Sequence, residues 1–302
     1  MSSNTLAENA WSVLTPVCER FGLDPHGATL LRVRSNVVFK LSAPIVVRIA
    51  TATDASSRMP SVLTVTRWLA ETGFPAVQPA DEVSRVPVSW GDSTVTFWRY
   101  VPPGEPPATL RELGEVLRRL HDSDLPNTGL RTLTDPLQSI RTAVRRQRGI
   151  LANREQSWLH TRIERLAGEW ALLESRFQPA LLHGDPWIDN LWRAEDGSVV
   201  LGDWDHVMIG PREWDLIHTY HGRRRFGLVD EDVNDFAQAY GYDLRSWPGY
   251  SILMEIRELY AIAIHIRNAS DDPFSRDELP RRLNSLMSGG RDVRWYMSDP
   301  AK

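Results

Sequence analysis

The sequence predicts an α+β protein with two lobes: a small one built on an antiparallel sheet, then a larger, mostly helical one. Three observations carry this. Short β-type runs separated by polar turns fill the first hundred residues, four prolines fall within Pro102–Pro107, and beyond them apolar residues recur at helical spacing.

In order, a helix-like segment occupies residues 5–22. It is followed by β signals at Ala28–Val33, Val37–Leu41 and Ile45–Ala50, with Pro44 in one of the turns. This reads as an antiparallel meander. Val62–Thr72 places apolar residues at helical spacing and stops at Gly73, after which Phe74-Pro75 leads into extended chain. Strands return at Val86–Ser89 and Val95–Val101. The proline-rich segment that follows is a hinge-like linker, dividing a lobe of residues 1–101 from one of residues 102–302.

Leu110–His121 keeps Leu110, Leu113, Leu117 and Leu120 on one face; Thr109 is placed to cap it and Glu112 to complete a capping box. A long amphipathic pattern covers Arg154–Phe177. An apolar run then ends at His183, and strand-like Leu191–Ala194, the turn Asp196-Gly197 and Ser198–Asp203 form a hairpin. Helices are expected near 213–222, 230–240, 249–269 and 277–290.

The composition narrows the function. Of 302 residues, 42% are apolar or aromatic and 25% charged, as in ordinary globular proteins. The balance of 35 basic against 39 acidic residues, without a dense Lys/Arg block, argues against a nucleic-acid protein. Cys18 is the only cysteine, which excludes an internal disulfide, a thiolate zinc site and a redox pair. The most apolar stretch, residues 250–266, is interrupted by Glu255, Arg257 and Glu258, and the N-terminus lacks an unbroken apolar core. The expectation is a cytoplasmic monomer or homodimer without a membrane segment.

The chemistry concentrates between Leu181 and Leu216. Asp185 lies in a polar loop between Gly184 and Pro186, Asn190 follows five residues later, and Asp203 closes the hairpin. Antiparallel strands return the chain to within about 5 Å of its start, which brings Asn190 and Asp203 together. An amide and a carboxylate oxygen suit a hard divalent ion such as Mg²⁺, which keeps water and phosphate oxygens in its other positions. Asp185 is left for another task.

This layout, H-G-D-x-x-x-x-N followed by a strand and an aspartate, resembles the catalytic loop and metal-binding aspartate of the protein-kinase-like fold, in the version of aminoglycoside phosphotransferases and choline-kinase-like enzymes. The resemblance spans nearly the whole chain and implies ATP and Mg²⁺ as cofactors. It implies that Asp185 orients the acceptor hydroxyl and takes its proton, and that Asn190 and Asp203 hold the metal. Arg48 stands where the kinase pattern has a phosphate-pairing lysine. Ser35 and Asn36 replace a glycine-rich phosphate loop, and Tyr100 and Val101 are placed to present backbone groups to adenine.

Two departures remain. Residues 55–70, where a helix carboxylate would partner Arg48, contain no Glu or Asp, so either Arg48 pairs elsewhere or the nucleotide is gripped differently. Position 184 is Gly rather than Arg, and only about nine residues separate Asp203 from the next helix, which leaves no room for an activation loop. A small hydroxyl acceptor is therefore expected. Asp205, Trp187, Glu213 and Glu258 are candidate acceptor contacts, Asp205 alternatively a second metal contact. Residues 203–302 carry 17 acidic against 13 basic residues, which suits a cationic acceptor such as an aminoglycoside. The rival readings are a kinase of choline, an amino alcohol or a sugar, a nucleotide-binding pseudokinase, and a metal-dependent glycosyltransferase.

Overall fold

The computed structural model describes residues 3–33, 36–50, 53–147 and 149–298. Ser35, expected at the phosphates, lies outside the described residues. The chain runs α1 (Ser3–Arg20), β1 (Thr29–Val33), β2 (Asn36–Lys40), β3 (Ile45–Ala50), α2 (Thr53–Glu71), β4 (Val88–Trp90) and β5 (Ser93–Arg99). There follow α3 (Leu110–His121), α4 (Gln138–Arg146), α5 (Asn153–Ala171), β6 (Ala180–Leu182), β7 (Leu191–Arg193), β8 (Val199–Leu201) and β9 (Met208–Gly210). The last helices are α6 (Glu213–His221), α7 (Asp230–Tyr240), α8 (Tyr250–Asn268) and α9 (Pro273–Met287). Two compact units result: residues 1–108, 124–130 and 188–207 form the first, and 109–123, 131–187 and 208–302 the second.

In the first unit the meander becomes a five-stranded sheet of order β1-β2-β3-β5-β4, antiparallel throughout. Strand alternation sorts its side chains. Val37, Phe39, Val47, Ile49, Val95 and Phe97 pack with Leu14, Val17 and Cys18 of α1, and burial pushes the Cys18 thiol up to about 11, which makes it inert. The opposite face carries Val38, Arg48 and Thr96 in one cross-strand row. A bulge adds Arg32 to that row. Leu30 pairs with Phe39 but Arg32 with Val38, so one residue of β1 is unpaired and Arg32 is turned away from the α1 face.

The β7–β8 hairpin belongs to the same unit, with Leu191 opposite Leu201. It is clamped by the extended chain after α2, where Leu201 N–H donates to the Pro75 carbonyl and Val77 N–H to that of Leu201. The proline-rich segment grips its other strand: Gly104 N–H donates to the Arg193 carbonyl at 2.8 Å.

In the second unit α3 has the expected capping box, Glu112 N–H donating to Thr109 Oγ1 and Thr109 N–H to Glu112 Oε2. α3 lies so close to α7 that a Cβ at Gly114 would sit 2.6 Å from the Phe236 carbonyl oxygen. α5 ends at Ala171 rather than Phe177, because Ser175 O–H and Arg176 N–H turn to the buried Glu213 carboxylate. α9 begins at Pro273, four residues earlier than expected, with Asp272 accepting from Ser275 N–H as its cap. α4 was not foreseen: only Ile140 and Ala143 of its residues are buried, too few for a periodic signal. Nor was the pairing of β6 with β9, two three-residue strands brought together only by the fold. Among the described residues no helix is long and apolar enough to cross a membrane.

Candidate active site

In the second unit β6 leads into His183-Gly184-Asp185, and Gly184 adopts φ 87°, a left-handed turn that favours glycine. The loop is fastened from below by Asp215, in the first turn of α6. Its fully buried carboxylate accepts from His183 N–H at 2.7 Å and Gly184 N–H at 2.8 Å, and His121 Nε2 lies 3.1 Å away. Burial pushes the Asp215 carboxyl up, but the His121 bond and the nearby imidazoles outweigh it and hold the group below its ordinary range. Asp185 N–H donates to His183 Nδ1, so the His183 ring helps to hold the loop.

The Asp185 side chain is 31% exposed, enough to meet a ligand. Its Oδ1 lies 3.2 Å from both His218 Nε2 and Arg257 Nη2. Arg257 is buried and stacks 4.8 Å from the Tyr260 ring centre.

Three buried imidazoles of this unit are pushed below their ordinary value. His218 is lowered by burial and by Arg257, His221 well below by burial and the surrounding charges, and His265 to about 3 by burial and Arg282. They are neutral in the fold, yet free to protonate once the chain unfolds. Stability is therefore complete above about pH 6.5 and declines below it, each histidine adding a slope of about 1.4 kcal/mol per pH unit. Among the described residues neither ring nitrogen of His221 has a hydrogen-bond partner, and Trp187, Phe226 and Trp295 surround it. His221→Phe is expected to flatten the decline by about one proton in urea titrations between about pH 5 and 7.5. An unaltered slope would contradict this assignment.

In the first unit Asn190 ends a short 3-10 turn and is buried. Gly202 N–H donates to its carbonyl at 2.8 Å, which fixes Asn190 beside the segment that enters Asp203. A Cβ at Gly202 would lie 2.2 Å from the Trp192 ring, so a larger residue there would displace that ring. Asp203 takes a left-handed backbone, φ 61°, the only non-glycine residue with positive φ among the described residues. A 3-10 turn, Trp204–His206, follows. This tight turn delivers the Asp203 and Asp205 carboxylates to neighbouring positions of the sheet. Arg32 Nη2 donates to Asp203 at 3.1 Å; Arg48 Nη1 donates to Asp205 Oδ1 at 2.6 Å, its Nη2 to Oδ2, and Asn36 Nδ2 to Oδ2 at 3.3 Å. Burial pushes the Asp205 carboxyl up, but Arg48 outweighs it and holds the group below the ordinary range.

The donor set fits a magnesium ion. Asn190 and Asp203 offer one amide and one carboxylate oxygen, and among the described residues no group of three His, Cys, Asp or Glu side chains is arranged to hold a metal ion. An ion here would draw its other ligands from water and phosphate, as Mg²⁺ prefers.

Residues 29–253 match the family model described as "Phosphotransferase enzyme family". The chain belongs to that phosphotransferase family. Its fold is protein-kinase-like. Amicoumacin kinase hAmiN, solved with AMP-PNP, Ca²⁺ and Ami, is 12% identical with a TM-score of 0.68 over 94% of each chain. Choline kinase LicA from Streptococcus pneumoniae is 14% identical with a TM-score of 0.66, over 92% of this chain and 99% of that one. The spectinomycin phosphotransferase APH(9)-Ia, solved with ADP and spectinomycin, is 16% identical with a TM-score of 0.62 over 92% and 93%. No curated protein matches the chain by sequence.

The remaining expected residues of this phosphotransferase are placed unevenly. Tyr100 N–H donates to the Pro44 carbonyl and its ring lies under Lys40, while Val101 is half-buried. Trp187 packs edge-on against His218 and Phe226. Glu213 is buried, its carboxylate bonded to Ser175 and Arg176. Glu258, also buried, pairs with Arg225 at 2.6 Å and lines a half-enclosed cavity of about 200 Å³ with Trp158, Arg162, Arg224 and Glu255. Burial pushes the Glu258 carboxyl up, against the pull of Arg225. Sequence reasoning missed Arg32, His218 and Arg257. Arg257 did leave a signal: a charge within the most apolar stretch, where an unpaired cation is costly.

Proposed function

We propose that this chain is an ATP- and Mg²⁺-dependent kinase that moves the γ-phosphate to a hydroxyl of a small polar molecule, with an aminoglycoside or related antibiotic as the leading acceptor. The loop of Asp185, fastened through Asp215 and facing His218 and Arg257, is the observation that carries it. In this reading Asp185 orients the acceptor hydroxyl and takes its proton, worth about 10²- to 10⁴-fold. Asn190 and Asp203 would hold the metal, which would supply positive charge against the transferring phosphate. Arg48, kept in place by Asp205, and Asn36 contact phosphate, and Tyr100 and Val101 lie along the base. Trp187, Glu213 and Glu258 support the acceptor side through the packing and ion pairs described above.

The antibiotic acceptor is supported by the acidic balance of residues 203–302 and by the ligands of two similar structures. One observation favours a second reading, a sugar or other uncharged metabolite. The cavity beside Glu258 is lined by four arginines (Arg162, Arg224, Arg225, Arg291) against two glutamates, with Trp158 as a flat wall, and repels a polycation.

The test is release of ADP by purified protein with ATP and Mg²⁺, against aminocyclitols, choline, ethanolamine and sugars. Turnover of an aminocyclitol is expected. Turnover of a metabolite alone would transfer the assignment to the second reading. ATP binding without transfer to any compound would leave a pseudokinase.

A further inference from the structure

Two guanidinium groups of the run Arg223-Arg224-Arg225, in the π-helical turn that follows α6, converge on one buried carboxylate. Arg225 Nε donates to Glu258 Oε1 at 2.6 Å, and Arg224 Nε lies 3.1 Å from the same oxygen without the alignment of a hydrogen bond. Glu255, one turn earlier in α8, is likewise shared, between Arg162 at 2.9 Å and Arg165. Arg291, in the turn after α9, makes no ion pair among the described residues. Arg165 excepted, these side chains line the half-enclosed cavity of about 200 Å³ beside Glu258.

The charges here do not balance. Five guanidinium groups meet two shared carboxylates and Asp292, whose field reaches Arg225. A guanidinium cannot shed its proton in a protein, so the excess is permanent. Arg225 is also only 1% exposed, and a cation so placed is costly unless matched. Its Nη1 donates to the Gly290 and Val293 carbonyls and its Nε to Glu258, which leaves Nη2 without an acceptor among the described residues. Arg224 Nε is buried and likewise unbonded. The Ser285 and Leu286 carbonyls, at the end of α9 on this wall, already accept from Gly290 and Gly289 N–H. Donors are therefore in surplus around the cavity.

We propose that this cavity is a second binding site of the chain, one that takes a phosphate group held mainly by Arg224, Arg225 and Arg291. A phosphate dianion offsets the excess charge, and its oxygens accept from several guanidinium forks at once, which a flat carboxylate does less well. The size agrees: drug-sized ligands occupy roughly 300 Å³ or more, whereas about 200 Å³ suits the ion itself or a small phosphorylated molecule. What repels a polycation attracts this ligand. None of the lining residues is among the side chains that meet Asp185 through His218 or Arg257, so the inference goes beyond the phosphotransfer reading and does not depend on it. The free ion and a phosphate carried on a small metabolite present the same oxygens to the arginines.

Calorimetric titration of the nucleotide-free protein with sodium phosphate tests the site, at low ionic strength and about pH 8, where the dianion prevails. One ion per chain is expected, with a Kd below about 1 mM. Arg224→Gln combined with Arg291→Gln should weaken binding about tenfold or more, because two charged donors are lost. Arg291→Gln alone changes an exposed side chain without an ion pair, so the fold is kept, and it should weaken binding about threefold or more. Arg48→Met with Asp205→Leu alters only the first unit and should leave phosphate affinity within about twofold. No binding by about 10 mM phosphate, or the same affinity in both arginine variants as in wild type, overturns the proposal. So does a loss confined to the Arg48 and Asp205 variant, which would place the ion in the first unit, and so does tighter binding of succinate than of phosphate. Glycerol 3-phosphate, with glycerol as its control, separates the two sources. Tighter binding than inorganic phosphate assigns a carried group and weaker binding assigns the free ion; both results support a phosphate site.

Discussion

Asp185→Asn is expected to reduce turnover by about 10²- to 10⁴-fold while leaving the affinity for Mg²⁺ nucleotide within about twofold, as measured by calorimetry. Asparagine keeps the shape and an oxygen acceptor, so the loop held by Asp215 through the His183 and Gly184 N–H groups stays in place. What it removes is the capacity to accept a proton from the acceptor. Alanine would be a poorer test, because it strands Arg257, a buried cation whose Nε and Nη1 already lack hydrogen-bond partners among the described residues. A loss of less than about tenfold in Asp185→Asn would remove Asp185 from the chemistry and leave it an orienting group.

Asp205→Ala is expected to cost about 3–5 kcal/mol in denaturant unfolding, the usual result of removing one member of a buried ion pair. Both side chains of the Arg48–Asp205 pair are about nine-tenths buried, at 10% and 12% exposure, and Asn36 would lose its hydrogen bond to Asp205 as well. Asp205→Asn retains an acceptor and should lose less. Pairing Arg48→Met with Asp205→Leu separates stability from function. Apolar replacement of a whole buried pair is often neutral or better for folding, so most of the stability should return. Nucleotide affinity should not return, if Arg48 contacts phosphate. Recovery of both would show that the pair only holds the sheet to the hairpin turn.

That pair also shows where sequence reading stops. The residue classes of the site were legible: Asp185, Asn190 and Asp203 stand at fixed spacing around a hairpin, and the hairpin formed with Leu191 opposite Leu201. The meander, the α3 capping box and the helices over 230–240 and 250–268 followed from periodicity and caps, which are properties of neighbouring residues. The carboxylate that Arg48 needed could not be read this way, since Asp205 lies 157 positions away. Nor could Arg32, which reaches Asp203 because a bulge in β1 reverses its face.

The sequence by itself determined the order of elements, the sheet followed by helices, and the segment that holds the candidate chemistry, because alternation, helical spacing, caps and hairpin turns act over a few residues. Only the tertiary structure decided the partners: Asp205 for Arg48, Asp215 beneath the Asp185 loop, and His218 and Arg257 on the Asp185 carboxylate. A buried charge must be matched by whatever the packing brings within about 3 Å, and that match depends on the folded surroundings rather than on distance along the chain.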